Sequence, residues 1–573
     1  MNDIQHIITE RVDDIPLLIH HMQQMALPAL IDQHFPAHGN WQGLSPGWVC
    51  TIWLSSILSQ GDHRLVHVEP WVASRLLTFR SVTGQAVEAT DLCDDRLERV
   101  LRHLSADTQW SRFEGALNEH TIRVYDLSRE RVHVDSTTAS AYTTVSEEGL
   151  FQFGPSKDHR PDLPQVKIMQ AVLDPLGMPV ATDVVSGDKA DDPLYVPCIE
   201  RVQQSLGRGG LLFVGDCKMA SRETRAFIAS QGDFYLCPLP QVQLAEGELE
   251  EALKTIESGQ ATLIPVIRPS SSEPPERIAE GIERQVAMQV EVAGQPQQWT
   301  ERRLVVRSLR HAQAAEQALR ACVAKAKAQV ETLNQRGRGR KRYEEIDDLR
   351  RAVVEMVQRH QVEDFLWLRY DQRLTRRPKR AYRGHTAGVT EDRQALVEVR
   401  VDEVALASAI ERLGWRVYGT NQPVSQLSLE QAVFAYRQEY QVERSLGRLK
   451  GRPLSLRPMY VQRDDHATGL IRLLSIALRV LTLLEFVVRR QLAVEGATLS
   501  GLYAGNAKRE TARPTAERLL EAFQGVTLTV MVGDQHSHGH VTALSPLQER
   551  ILELLGLSDQ AYTRLCDVSL EPP

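Results

Sequence analysis

Three carboxylates stand at positions where local structure gives no reason for them. Asp135 lies within Arg131-Val132-His133-Val134-Asp135-Ser136-Thr137-Thr138. There Val132 and Val134 alternate with polar neighbours and β-branched residues follow, the pattern of a strand. Aspartate has poor strand propensity and is costly to bury unpaired. Asp216 directly follows the apolar run Leu211-Leu212-Phe213-Val214-Gly215, a second strand. Glu443 falls in the helical stretch from Tyr436 to Lys450. Taken singly, each has a plain alternative: a solvated strand face, a turn former, a helix surface. Taken together, one carboxylate on a strand, one at the end of another strand and one on a helix can converge on divalent cations, which as hard ions prefer carboxylate oxygens.

The elements that must position these residues follow in order. The strand Arg131–Thr138 is expected to be followed by a strand at Lys167–Leu173, a turn at Asp174-Pro175-Leu176-Gly177 and an antiparallel strand at Met178–Val185. A helix from Asp192 to about Leu206, a fourth strand at Leu211–Val214, a helix at Ala220–Ser230 and a fifth strand at Asp233–Cys237 complete the run. The order β-β-β-α-β-α-β is that of the ribonuclease H-like fold. The expected class is therefore α/β: a mixed five-stranded sheet flanked by helices, over 128–240 and resuming at 406–490, with Thr143–Pro164 as a loop near the site. Residues 241–405 read as an α+β insertion, with strand-like Val286–Val292 and Arg303–Arg307 and helical Ala312–Thr332 and Glu344–Gln358. Trp415 opens a short strand to Asn421, and Ser428 is expected to cap the helix carrying Glu443. Residues 1–127 read as a helical N-terminal domain, which either recognises a DNA site or serves as a scaffold for its neighbour. Residues 491–573 form a C-terminal region, a candidate for dimerisation. Within it His536-Ser537-His538-Gly539-His540 reads as a polar hairpin loop, since the spacing matches no zinc pattern.

Composition sets the frame. The 573 residues suffice for several domains. No C-x-x-C pair occurs among the seven cysteines, so neither a zinc ribbon nor a disulfide framework is indicated, and the odd count of scattered thiols suits a reducing cytoplasm. The N-terminus lacks a basic n-region, and the most apolar stretch, Leu470 to Val488, contains Arg472, Arg479 and Glu485, so it reads as a buried helix and not a membrane span. The net charge of −7 does not advertise a nucleic-acid binder, yet binding depends on local patches. Arg369 to Arg383 contains Arg376, Arg377, Lys379 and Arg380 with Tyr370 and Tyr382 interleaved, and Arg336 to Arg342 is a second basic run. Each is either a solvated face or a phosphate-contacting surface.

The Glu443 segment carries a resemblance. Tyr436, Glu443 and Lys450 fall at the Tyr, Glu and Lys positions of Y-x2-R-x3-E-x6-K; Glu439 occupies the Arg position, with Arg437 beside the tyrosine. Val134-Asp135-Ser136-Thr137 and Val214-Gly215-Asp216 followed by Met219 resemble first- and second-Asp motifs, and Arg457-Pro458-Met459-Tyr460 with His466 also fits. On these residues, over about 131–490, the chain resembles the branch of bacterial insertion-sequence DDE transposases that carries this signature. The resemblance implies metal-dependent cleavage at transposon ends and strand transfer into target DNA, cut-and-paste through a hairpin intermediate. It implies two Mg²⁺ ions, with Mn²⁺ as a substitute, held by Asp135, Asp216 and Glu443. It places Trp415 against a flipped base and Tyr436, Arg437, Arg448 and Lys450 at DNA. The partners implied are double-stranded transposon-end and target DNA and a second copy of the chain. The plain alternatives are a core aromatic for Tyr436 and for Trp415, a salt bridge for Lys450, and Glu439 as competing carboxylate, although it lacks the six-residue gap to Lys450. Two other functions remain open: a ribonuclease H-like metal nuclease without joining activity, and a catalytically silent DNA-binding remnant.

Overall fold

The computed structural model describes residues 4–207, 209–268, 275–292, 294–337, 340–379, 388–533 and 537–567. Arg380, Arg338, Tyr382, Arg383 and His536 lie outside the described residues. The chain is mixed α/β and divides into two compact units, one of Met1–Cys237, Ala287–Trp299 and Phe434–Pro573, the other of Pro238–Val286 and Thr300–Val433.

The first unit opens with strand β1 (Ile4–Arg11), absent from the sequence expectation, and continues with the expected helices. Its central sheet is built on β2 (Arg131–Ser140). β3 (Gln165–Leu173) pairs antiparallel with β2, and β4 (Met178–Ser186) antiparallel with β3. On the other side of β2, β5 (Leu212–Gly215) pairs in parallel, and β6 (Phe234–Pro238) pairs in parallel with β5. The strand order is thus β4-β3-β2-β5-β6. β2 and β3 are buried on both faces, as expected where helices cover a sheet. The helices Tyr195–Leu206, Tyr440–Lys450 and Asp464–Glu495 pack on it. Val442 and Leu446 meet Val172 of β3 and fix the Tyr440–Lys450 helix there.

β7 (Ile264–Arg268) in the second unit is a strand that the sequence did not suggest, and β8 (Glu276–Val292) and β9 (Gln295–Ser308), of which 276–286 and 300–308 belong to that unit, are far longer strands than the sequence suggested. The basic run after Trp367 is itself a strand. β10 (Leu366–Lys379) pairs along its whole length with β11 (Gly388–Val401) as a two-stranded ribbon. The helices Leu309–Thr332 and Ile346–His360 cover its base, where Val330, Leu349 and Val353 pack with Leu366, Val397 and Val399. β12 (Trp415–Thr420) pairs antiparallel with β9, Trp415 opposite Arg307.

The Asp464–Glu495 helix is buried for most of its length, as the sequence indicated, and each buried charge on it is paired. Arg479 binds Glu114 at 2.8 Å, and both are fully buried. Arg472 donates to the Leu104 and Ser105 carbonyls at 2.9 Å. Gly469 lets this helix approach Asp94–Ser105 closely, since a Cβ there would collide with the Leu101 carbonyl. The chain ends return to its start: β13 (Thr527–Gly533) pairs antiparallel with β1 and with β14 (Ser537–Val541). His538 and His540 accordingly lie in a strand and not in a loop. Residues 1–127 are thus packed into the same unit as the sheet and its long helix, and the C-terminal region closes on the N-terminal strand of its own chain. Among the described residues no helix is long and apolar enough to cross a membrane.

Candidate active site

The parallel pairing of β2 with β5 sets Val134 opposite Gly215. The next residues, Asp135 and Asp216, therefore stand side by side, one strand spacing apart, roughly 4.8 Å. Gly215 sits close under Met219, whose Sδ would lie 2.8 Å from a Cβ placed there. Asp216 closes the turn after β5, its Oδ1 accepting the Lys218 amide at 2.8 Å. The same oxygen accepts the Tyr195 hydroxyl at 2.7 Å. Asp135 is mostly buried: Oδ1 takes the Ser136 amide at 2.6 Å and lies 3.6 Å from Lys157 Nζ. Burial pushes the Asp135 carboxyl up to about 6, Lys157 opposes the shift and the Asp216 charge adds to it. Burial likewise raises the Tyr195 phenol well above its usual range, and the Asp216 and Asp135 charges add to that.

The expected single helix through Glu443 is two. Ser428 caps Leu429–Arg437, exchanging hydrogen bonds with Gln431, and a second helix runs Tyr440–Lys450. The break falls at Gln438 and Glu439. Glu443 lies exposed in the first turn of the second helix. Glu439, half-buried just before it, is pushed up to about 7: burial is the main cause, a hydrogen bond with Tyr436 opposes it, and the Asp135, Asp216 and Glu443 charges add to it. Glu439 thus lies in the field of the paired aspartates and of Glu443.

The other anticipated residues divide. Lys450 reaches Thr137 Oγ1 at 2.7 Å and the fully buried carboxylate of Asp158 at 2.8 Å, so it is ion-paired, though not at the surface. Arg448 is buried, its guanidinium held by Glu485 and by Glu517 at 2.8 Å. It ties its helix to the protein interior instead of facing solvent. Arg437 is exposed at the end of its helix. In the second unit Arg376, Arg377 and Lys379 are exposed on β10, with Arg376 bridging to Glu391 across the ribbon at 3.0 Å. Trp415, half-buried, donates its indole N–H to the Glu411 carbonyl at 3.1 Å, and the Arg307 guanidinium lies 5.9 Å from its ring centroid. Sequence reasoning missed Lys157 and Tyr195. Neither has a local signal: one sits in a loop, the other opens a helix.

The donors suit a hard divalent cation. They are carboxylates: the Asp216 charge raises the proton affinity of Asp135, and the Asp135, Asp216 and Glu443 charges raise that of Glu439, a condition that a cation relieves. Among the described residues no three His, Cys, Asp or Glu side chains are close enough to enclose a metal ion by themselves.

A family model described as the transposase DDE domain matches residues 127–480, well over half of the chain and the whole of the carboxylate constellation. The chain belongs to the transposase DDE-domain family. As a member it is a DNA transposase: it cuts DNA and transfers strands, binds DNA, and belongs to a class that uses divalent metal ions. A second model, a domain of unknown function (DUF4277), matches residues 7–113. No curated protein matches the sequence. Among solved structures, a piggyBac transposase synaptic complex with hairpin DNA is similar with a TM-score of 0.36 and 9% identity, over 89% of this chain and 79% of that one.

Proposed function

We propose that this transposase has a ribonuclease H-like catalytic core in which Asp135, Asp216 and Glu443 hold two Mg²⁺ ions, replaceable by Mn²⁺. The observation that carries the reading is the parallel register of β2 and β5, which sets Asp135 beside Asp216, with the Glu443 helix packed on β2 and β3. The strand order and directions agree with such a core. The chemistry that bound ions supply is activation of the attacking oxygen and stabilisation of the leaving one. The chain's own part is to fix the carboxylates and to steer DNA. In this reading Lys450, Arg437 and Tyr436 line the strand's path near the aspartates, Trp415 receives an extruded base, and the Arg376, Arg377 and Lys379 ribbon binds phosphates. The reaction is cut-and-paste through a hairpin, run by a homodimer on two transposon ends, in the branch with the Y-x2-R-x3-E-x6-K signature.

One observation favours a variant of this reading. Glu439 shares the field of both aspartates and of Glu443, which makes it the alternative third carboxylate. The test uses DNA bearing the inverted repeats that flank the source gene, with a target plasmid. Asp135→Asn, Asp216→Asn and Glu443→Gln are expected to abolish cleavage and joining and to leave end binding intact. Loss of cleavage in Glu439→Gln with retention in Glu443→Gln transfers the third role to Glu439. Efficient cutting by the unmodified chain, without joining of a preformed 3′-hydroxyl end, would refute the transposition chemistry.

A further inference from the structure

We infer that Lys157 is a tethered counter-ion of the Asp135 carboxylate, which a divalent cation must displace in order to bind. The inference rests on the assignment of Asp135 as a metal ligand. Lys157 belongs to the connection between β2 and β3, and its backbone is fixed on β2. Its amide donates to Thr138 Oγ1 at 2.9 Å. The following residue, Asp158, is fully buried and accepts the Ser140 amide at 3.2 Å and Lys450 Nζ at 2.8 Å, and it also pairs with Arg457. Lys157 is therefore held at this place from both sides, unlike a lysine on a mobile loop.

Its ammonium is aimed at the site. Nζ donates to the Ser136 carbonyl and to Ser136 Oγ, both at 2.7 Å. An ammonium has three N–H donors, and the carboxylates within reach of the third are Asp135 at 3.6 Å and Asp191 at 3.8 Å. Asp191 has a nearer partner, Lys167 at 2.6 Å. Among the described residues Lys157 is the ion-pair partner of Asp135. A dication on Asp135 would lie within a few ångströms of this ammonium, and like charges at that range repel. The Lys157 side chain is 38% exposed, so its flexible stem can carry the charge outward into solvent. The pair thus acts as a stopper: Lys157 offsets the crowded carboxylates until a cation of higher charge takes its place.

The experiment measures Mn²⁺ binding to the full chain without DNA, from the electron paramagnetic resonance of free Mn²⁺. Lys157→Met removes the charge and keeps the length. It is expected to bind Mn²⁺ at least about threefold more tightly than the wild type, the scale on which a partly exposed ion pair shifts an equilibrium. Lys157→Arg, which keeps the charge, should stay near wild type. The gain should vanish in Asp135→Asn/Lys157→Met. Equal affinity in wild type and Lys157→Met, no measurable binding by either, or persistence of the gain in the double variant would overturn the inference. Wild-type affinity in Asp135→Asn alone is a different result: it would remove Asp135 from the metal site.

Discussion

Asp135→Asn should inactivate the protein and stabilise it in the absence of metal. The Asp135 carboxyl is raised to about 6, chiefly by burial, with the neighbouring Asp216 adding to it. An unfolded chain releases the same proton near ~3.9. Between about pH 4 and pH 6 the native state therefore holds a proton that the unfolded state has lost, and stability falls as pH rises through that window. Above it the full cost of the buried charge is present. A gap of about two pK units corresponds to about 3 kcal/mol, and the attraction of Lys157 is already contained in the net shift. Asparagine removes the charge and retains nearly the same volume, though burial of the amide returns part of the gain. The assay is a pair of thermal melts of chelator-treated protein, at pH 4.5 and pH 7.5, beside a cleavage assay at pH 7.5. The variant should be inactive, should melt a few degrees above the wild type at pH 7.5, and should exceed it by much less at pH 4.5, where the folded wild-type carboxyl is still protonated and only part of the cost is present. A variant that melts below the wild type at pH 7.5, or differs equally at both pH values, would refute the claim that this carboxylate is a strained charge kept for chemistry.

Neutralising Arg376, Arg377 and Lys379 together should weaken duplex binding and flatten its salt dependence, by about one slope unit per lost phosphate contact; an unchanged slope by fluorescence anisotropy would make the ribbon a solvated face. Trp415→Ala should leave first-strand nicking near normal and impair hairpin formation or opening, with Tyr436→Phe showing a milder defect. Equal loss at every step on a denaturing gel would mark Trp415 as a packing residue. Glu114→Gln strands the fully buried Arg479 charge and should cost about 3–5 kcal/mol; an unchanged melting temperature would show that the guanidinium finds another partner.

Much of the core was legible because strands and turns are short-range signals. The alternation around Val132 and Val134, the apolar run before Asp216 and the turn at Asp174 to Gly177 each declare themselves within a few residues, and the structure has strands and turn there. The charges within Leu470–Val488 likewise excluded a membrane span from the sequence alone, and TM-like character is lacking among the described helices. Partnership across the fold was not legible. Nothing local marks Lys157 as the neighbour of Asp135, or tells that Arg448 is buried on Glu485 and Glu517. Periodicity is blind to the break at Gln438 and Glu439, which lies between two stretches of equally helical composition. Nothing in the sequence joins the two basic runs of the second unit, yet Arg336 and Arg342 both meet Asp392 on β11, which pairs with Thr375 beside Arg376 of β10. The pairing of β1 with β13 joins the chain's first described residues to its last strands, and Arg479 finds Glu114 across 365 positions. The sequence by itself determined which residue types could do the chemistry and which strands would carry them, because side-chain alternation is imposed by the backbone. Which charges are paired, which are buried and which face the site was decided by the tertiary structure alone, because a charge's energy depends on neighbours that only folding brings within a few ångströms.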